Sequence, residues 1–271
     1  MIEKYGKEQN TSAEGTKLHN LKGDDTMHDL TNEVWVNYDY EKWLTHFREN
    51  DKERLQLDFS EEPVLTPEQR KLIFKSIKAF QMGEHSDGVY LAELAQKFEK
   101  EYNEPYYAET MNLFIKEENF HSAYLAWYLK HHDEPKAKKN KLDKTFRNLR
   151  HDGKLFTEIA VLVTAETIAL SYYSALGNVA DQIGSKDLRA ICNQMLHDEL
   201  PHIVFQTYTL SHFGNKKAFR HFVMGCTTTA VYLMYGKLLK AGGYNYKKFR
   251  TDNFAYLKQS FEMIDKMRTS A

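Results

Sequence analysis

The sequence contains little cysteine, proline or glycine. Only two of its 271 residues are cysteine, Cys192 and Cys226, and both lie in apolar surroundings 34 positions apart. This spacing argues against a disulfide framework or a zinc cluster. Five prolines and thirteen glycines rarely interrupt the chain, and β-branched runs with period-two alternation are missing. These absences predict an almost entirely helical protein in a reducing compartment.

The chain also lacks a strong net charge and a long apolar run. Lysine and arginine number 37 against 38 aspartate and glutamate, for a formal net charge of −1. Such a balance gives no general attraction to nucleic acid or to an anionic membrane. No run of about 18 apolar residues occurs, and the N-terminus lacks the apolar core of a signal peptide. We therefore expect a soluble, cytoplasmic protein without nucleic-acid or membrane partners.

Helical patterns fill most of the chain after a polar start. Residues 1–26 are polar, mixed in charge and aperiodic, which predicts a mobile tail before a single domain over residues 27–271. A short helix is predicted around Glu33–Asn50. Long helices are predicted at about 66–102, 106–132, 154–176 and 185–212, with two further helices at about 216–239 and 251–267. The fold class is all-α, with a four-helix bundle over about 66–212 and additional N- and C-terminal helices.

Each of the four long helices carries a carboxylate in the middle of its apolar stripe. Two of the helices add a histidine three positions later, on the same face. One buried carboxylate is costly to keep ionised, and four that face one another cost more. Two divalent cations would balance the four negative charges, with neutral imidazoles as further ligands. The predicted metal ligands and catalytic residues are Glu84, Glu118, His121, Glu166, Glu199 and His202.

Two of these segments resemble motifs of a known family. Glu117-Glu-Asn-Phe-His121 and Asp198-Glu-Leu-Pro-His202 are similar to the paired EENxH and DExxH motifs of the soluble acyl-carrier-protein desaturases, within the ferritin-like superfamily. The four glutamates also follow that family's order, at spacings of 34, 48 and 33. The resemblance covers about residues 66–212, and it implies a ferritin-like bundle with a di-iron centre.

The resemblance also implies a role for each residue. Glu84 and Glu199 would each cap one iron, Glu118 and Glu166 would bridge the two irons, and His121 and His202 would each ligate one iron. Asp198 would accept a hydrogen bond from a ligand histidine, which fixes the tautomer of the ring. Trp43, on an early helix, would be linked to that aspartate, although a core tryptophan is an equal reading of the same residue.

Three positions depart from the patterns of the related enzymes. Ala169 stands where desaturases carry a threonine one turn after the third-helix glutamate. Pro201 lies inside the fourth-helix motif and is expected to kink or widen that helix. Met195 occupies the position of an extra histidine ligand in the arylamine N-oxygenases, which argues against that branch.

The leading functional prediction is an oxygen-dependent di-iron oxidoreductase that performs desaturation or hydroxylation. Its substrate would be an acyl chain, free or bound to a carrier protein, or another small apolar metabolite. Its cofactors are two iron ions, with manganese as the alternative metal, and dioxygen is the co-substrate. Two alternatives remain open: an N-oxygenase or halogenase on an amino or carrier-bound substrate, and a ferritin-like ferroxidase. The substrate pocket is predicted beside the metals on the helices without histidine, lined by Phe80, Gly88, Leu162, Ala169, Leu170 and Tyr173.

A lysine-rich connector between the second and third long helices is a candidate docking surface. It would receive an acidic acyl carrier protein or a ferredoxin-type reductant, although a solvated surface helix is the simpler interpretation of such a charge run. A homodimer is the expected assembly. The basic residues of the connector are Lys136, Lys138, Lys139, Lys141, Lys144, Arg147 and Arg150.

Overall fold

A computed structural model describes residues 27–85, 88–137 and 154–270 of the chain. These residues contain two short 3-10 helices, Leu30–Asn32 and Val34–Asn37, eight α-helices and no strand. The predicted all-α fold, with additional helices on either side of the central set, is confirmed for these residues. The α-helices are α1 (Tyr40–Asn50), α2 (Pro67–Glu84), α3 (Val89–Tyr102), α4 (Tyr107–His131), α5 (Leu155–Ile183), α6 (Lys186–Ser211), α7 (Lys217–Ala241) and α8 (Tyr246–Ser270).

The ends of the long helices follow local sequence signals in most cases. Thr66 and Gln69 form a reciprocal capping box at the start of α2, and the Ser185 side chain accepts a hydrogen bond from the Leu188 amide at the start of α6. The predicted end of α5 near Gly177 is wrong, because α5 continues to Ile183 and ends at Gly184, which has φ +75°. A Cβ on Gly177 would meet the end of the flexible Arg189 side chain of α6 and lie 3.3 Å from Cys192 Cβ, so α5 and α6 approach each other closely here.

The predicted first long helix is two helices. His85 is extended, and Gly88 adopts φ +70° as the residue before α3, so the helical run stops at Glu84 and restarts at Val89. Only glycine adopts that left-handed conformation at no steric cost. Glu84 is therefore the last residue of α2 instead of a mid-helix residue. The predicted N-terminal helix is also shorter than expected, because 3-10 helices replace its first part.

The core divides into two apolar clusters along the bundle axis. One cluster includes Leu125 and Leu129 of α4 and Met195 of α6. The other includes Phe114 of α4 and Phe205 of α6. Glu118 lies on α4 between these two sets, and Glu199 lies on α6 between them. The carboxylates of the long helices therefore lie where the two halves of the core meet, surrounded by apolar residues.

The remaining helices pack outside the central set. Helix α1 packs on α4, α7 on α5, and α8 on both α6 and α7. Among the described residues, only α5 is long and apolar enough to cross a membrane, and most of it is buried inside the protein, as in the core helix of a soluble protein. The predicted tail, residues 1–26, lies outside the described residues, as does the lysine-rich connector from Lys138 to Arg150.

Candidate dimetal site

The structure brings all six predicted ligands together in the middle of the bundle. Their donor atoms form two overlapping groups in which the chosen atoms lie within 4.8 Å of one another. Five of the six side chains are buried, and Glu84, at the end of α2, is partly exposed. Glu118 belongs to both groups. The larger group contains Glu118, Glu166, Glu199 and His202, and the smaller contains Glu84, Glu118 and His121.

Both histidines direct Nδ1 at the carboxylates. His121 Nδ1 lies 3.4 Å from Glu118 and 3.8 Å from Glu199, and His202 Nδ1 lies 3.0 Å from Glu118 and 3.6 Å from Glu199. Glu199 turns one oxygen toward each histidine, Oε1 toward His121 and Oε2 toward His202. Glu118 and Glu199 therefore reach both halves of the site, whereas Glu166 approaches only His202, at 4.0 Å.

The distances favour a different pair of bridging carboxylates from the pair implied by the desaturase resemblance. That resemblance made Glu118 and Glu166 the bridges and Glu199 a cap. In the structure Glu199 lies between the two histidines, so the pair placed to bridge is Glu118 and Glu199. Glu84 then lies on the His121 side and Glu166 on the His202 side. The spacing of the glutamates along the chain predicts which helix carries each one. It does not predict which carboxylates lie between the two metal positions.

The outer nitrogen of each histidine is held by an acid from the opposite motif. His121 Nε2 is 2.9 Å from Asp198 Oδ2, and His202 Nε2 is 2.9 Å from Glu117 Oε2. Asp198 precedes Glu199 in one motif, and Glu117 precedes Glu118 in the other. The first acid of each motif therefore hydrogen-bonds to the histidine of the other motif. A carboxylate that accepts Nε2–H leaves the lone pair of Nδ1 free to bind a metal.

The role of Glu117 was not predicted from the sequence. The signal was present, because Glu117 occupies the same place in its motif as Asp198 does in the other. Further polar residues surround these acids: Gln194 donates to both Asp198 oxygens at 2.9 Å, and half-exposed His197 lies 2.9 Å from Asp198 Oδ1. Arg54 lies 3.9 Å from Glu117.

Two carboxylates at the edge of the site accept hydrogen bonds from neighbouring helices. The Tyr173 hydroxyl donates to Glu84 Oε1 at 2.6 Å, and the Gln206 amide donates to Glu166 Oε1 at 3.1 Å. Tyr173 was predicted to line a pocket, whereas its hydroxyl holds the carboxylate at the end of α2. These contacts fix the orientation of Glu84 and Glu166 and leave their second oxygens for another partner.

Without metal, the site favours proton uptake. Burial, and then the charge of a neighbouring carboxylate, raises the pKa of Glu84, Glu166 and Glu199. Burial would lower the pKa of His202, but its contacts with Glu117 and Glu118 outweigh burial and raise this pKa to about 10. Burial would likewise raise the pKa of Glu118, but His121 and His202 hold it below its usual value. Three of the four carboxylates resist ionisation unless a cation joins them.

The inward atoms of the site fit metal ions. Glu118 Oε1, both oxygens of Glu199, and Nδ1 of His121 and His202 are buried and face one another. None of them makes a well-aligned hydrogen bond within the described chain, although His202 Nδ1 lies 3.0 Å from Glu118 Oε1. Buried polar atoms normally have well-aligned partners, and five that lack one and are directed at one place are unusual. Carboxylate oxygen and imidazole nitrogen are suitable ligands for iron and manganese. The cluster is therefore able to hold two metal ions.

Several of the residues predicted to line a substrate pocket are packed against their neighbours. A Cβ on Gly88 would lie 2.5 Å from Ile115, so this glycine does not leave room beside the metals. Phe80 stacks on Tyr172 with ring centroids 3.5 Å apart. Ala169 and Leu170 are buried in different halves of the core. Leu162 is only partly buried, and Ala165, in the same stretch of α5 as Glu166, is exposed.

Trp43 does not hydrogen-bond to Asp198. Its indole Nε1 has no partner among the described residues, and its ring packs near Phe205 and His46 at centroid distances of 5.4 and 5.6 Å. The link to Asp198 is therefore wrong, and Trp43 is a core residue. Pro201 lies within a continuous α6, so the proline does not end the helix between its two ligands.

The fold was compared with known proteins. No family model matches the chain, and no curated protein matches its sequence significantly. A solved structure of a variant R2-like ligand-binding oxidase, with an aerobically reconstituted Mn/Fe cofactor, is similar at a TM-score of 0.58. That match covers 89% of this chain and 98% of the oxidase at 15% sequence identity. This chain has a ferritin-like fold. At that level of identity the likeness extends to the fold alone.

Proposed function

We propose that the protein is an oxygen-dependent oxidase with two metal ions, either two irons or one manganese and one iron. The observation that carries the proposal is the cluster of four carboxylates and two histidines, five of them buried, in which the inward atoms of Glu118, Glu199, His121 and His202 make no well-aligned hydrogen bond within the described chain. The Mn/Fe cofactor of the structurally similar oxidase supports this choice of metals. The desaturase-like motifs around Glu118 and Glu199 support the same choice.

Six side chains would hold the metals. Glu118 and Glu199 would bridge, because each lies near both histidines. His121 and Glu84 would complete one metal position. His202 and Glu166 would complete the other. Asp198 and Glu117 would keep each imidazole neutral and correctly oriented, with the proton on Nε2.

Such a metal pair supplies electrons for the reduction of dioxygen next to a substrate C–H bond. The chain contributes an apolar environment, since two core clusters enclose the site and exclude water from it. It also contributes fixed hydrogen bonds, such as that from Tyr173 to Glu84, which keep each carboxylate in place. Preorganised ligands of this kind lower the reorganisation needed during turnover.

We propose an acyl chain or another small apolar metabolite as the substrate. We propose that it enters along α5, where Leu162, one turn before Glu166, is partly buried and Ala165 is exposed. Desaturation would convert a CH2–CH2 unit, dioxygen, two electrons and two protons into a CH=CH unit and two waters. Hydroxylation would use the same inputs to form an alcohol and one water. Both reactions require a reductant.

The reductant and assembly are further proposals. A ferredoxin-type protein would supply the two electrons, and the lysine-rich connector that begins at Lys136 would receive it or an acidic acyl carrier protein, since both are acidic partners. The working form would be a cytoplasmic homodimer.

The proposal is tested with metal-loaded, chemically reduced protein exposed to oxygen. We expect oxygen consumption together with a desaturated or hydroxylated product in single-turnover mixtures of acyl and amino substrates. Glu199→Gln is expected to lose metal and turnover. Rapid oxidation of ferrous iron that deposits a ferric mineral, without an organic product from any substrate, would favour a ferroxidase instead.

The access route is tested at Ala165. Ala165→Phe adds bulk at an exposed position, so we expect normal folding and metal content but a strong loss of turnover. Ala169→Phe would be a poorer probe, because Ala169 is buried and a phenylalanine there would overpack the core. Ala218→Phe, at an exposed alanine on α7, is the matched control and should keep full turnover. Equal turnover in both variants would exclude this route.

A further inference from the structure

A buried arginine lies away from the candidate dimetal site, between the C-terminal helices and α6. Arg220, near the start of α7, is 1% exposed. Its Nη2 donates to Ser260 Oγ of α8 at 2.7 Å, and Ser260 Oγ lies 2.7 Å from Thr207 Oγ1 of α6. The guanidinium carbon is 4.8 Å from the centre of the Phe261 ring. These contacts join three helices around one cation.

The guanidinium has no negative partner among the described residues. Its Nε and Nη1 are buried and make no hydrogen bond within the described chain. Four other arginines behave differently, since each pairs with a carboxylate: Arg48 with Glu109, Arg54 with Asp51, Arg70 with Glu134 and Arg189 with Asp181. A buried charge without a partner is among the costliest features of a protein interior.

The contacts that Arg220 does make are not enough to balance its charge. The Ser260 hydroxyl and the Phe261 ring are both neutral. The hydroxyl accepts a hydrogen bond from one guanidinium nitrogen, and the ring lies against the guanidinium. Loss of the proton is not an alternative near neutral pH: burial lowers the pKa of Arg220 only to about 9, and the group stays charged. The interior at this point needs a negative charge from outside the described residues.

We propose that Arg220 binds a chloride ion at the junction of α6, α7 and α8. The free donors are Nε–H, the two hydrogens of Nη1 and the second hydrogen of Nη2, together with the one hydroxyl hydrogen left over by the Ser260–Thr207 hydrogen bond. The surroundings select a small anion, because Arg220, Ser260 and Thr207 are all at most 1% exposed. The ion would stabilise the packing of α7 and α8 on the bundle and is separate from the metal ligands.

The first test compares chloride with gluconate, a bulky anion, at equal ionic strength in the metal-loaded full-length protein. We expect chloride to raise the melting temperature of the natural protein in a saturable way. Arg220→Met keeps an unbranched, flexible side chain, although a shorter one, and removes the charge, so it should lose the whole chloride-dependent shift. Arg250→Met is the matched control, because Arg250 of α8 also lies over a phenylalanine ring but is exposed. This control should respond to chloride as the natural protein does.

Equal melting temperatures of the natural protein in chloride and gluconate would overturn the proposal, as would a chloride response that persists in Arg220→Met. The second test needs no variant and therefore remains valid if Arg220→Met does not fold. Crystals grown with bromide in place of chloride should show an anomalous peak within hydrogen-bond reach of Arg220 Nε or Nη1. A water molecule at that place, with no bromide signal, would also refute the proposal.

Discussion

Replacement of Glu199 by glutamine should affect the metal-free and the metal-loaded protein in opposite directions. Glu199 is fully buried, and neither of its oxygens has a hydrogen-bond partner within the described chain. Burial, and then the charge of Glu166, raises its pKa, so the metal-free fold is strained whether this carboxyl is ionised or takes up a proton. Glu199→Gln removes that strain and also removes a bridging ligand.

The expected magnitudes follow from these contacts. An unsatisfied buried polar group costs about 1–3 kcal/mol. The glutamine amide is itself imperfectly paired, so we expect a net gain of about 1 kcal/mol in the metal-free protein, or roughly 2–4 °C in melting temperature for a chain of this size. Metal at about 100 times its dissociation constant should stabilise the natural protein by about 2.7 kcal/mol, or roughly 5–11 °C. Glu199→Gln should lose most of that metal-dependent gain.

Glu62→Gln is the control for the chemical change itself. Glu62 is also a buried carboxylate, but its Oε1 accepts hydrogen bonds from Tyr128, Ser185 and His132 at 2.8, 2.6 and 3.2 Å. Burial would raise the pKa of Glu62, but these donors outweigh burial and lower it. Glutamine at this position should destabilise the protein with and without metal, and the gain on metal addition should stay at its natural value.

The assay is thermal unfolding of each protein after chelation and after anaerobic addition of ferrous iron. A metal-free Glu199→Gln protein that melts several degrees below the natural one would show that Glu199 is an ordinary stabilising residue. A full metal-dependent gain in this variant would show that the metals bind elsewhere. Either result would refute the reasoning from unpartnered buried atoms.

Three further predictions concern the surroundings of the site. Glu117→Gln and Asp198→Asn should each weaken metal binding by about 10–100-fold without removing a ligand, measured by competition with a chelator. The metal-dependent gain in melting temperature should grow from about pH 5 to about pH 8. The reason is that raised carboxylate pKa values stabilise the metal-free fold below about pH 4.5 and cease to do so as pH rises, while metal displaces the protons. A gain that falls over this range would contradict the assignment. Trp43→Phe should cost about 1–2 kcal/mol of stability and leave metal content unchanged, since Trp43 packs in the core.

The ligands and helices of the site could be predicted from the sequence because both depend on short-range periodicity. Glu118 and His121 are three positions apart on one helix face, and the same holds for Glu199 and His202, so a helical pattern places each pair without knowledge of the fold. The cost of burying four carboxylates then indicates a metal site. The long helices α4 and α6 were predicted to within one or two residues for the same reason.

The features that the sequence did not predict depend on packing between helices. The break between Glu84 and Val89 follows from the backbone conformation of His85 and Gly88, whereas the amino-acid pattern continues through it. Gly177 stops a helix in many sequences, but here it lies where α5 and α6 approach each other closely. The position of Glu199 between two histidines, and the filling of the space at Gly88 by Ile115, are set by neighbouring helices far along the chain.

The most direct test of the account is a crystal structure of the protein after anaerobic loading with iron, or with iron and manganese, recorded at the absorption edge of each metal. The account predicts two anomalous peaks between the four central helices. Glu118 and Glu199 should contact both peaks, His121 and Glu84 one of them, and His202 and Glu166 the other. A single peak, peaks at other positions, or the absence of metal from a protein whose six side chains keep their present arrangement would contradict the central claim.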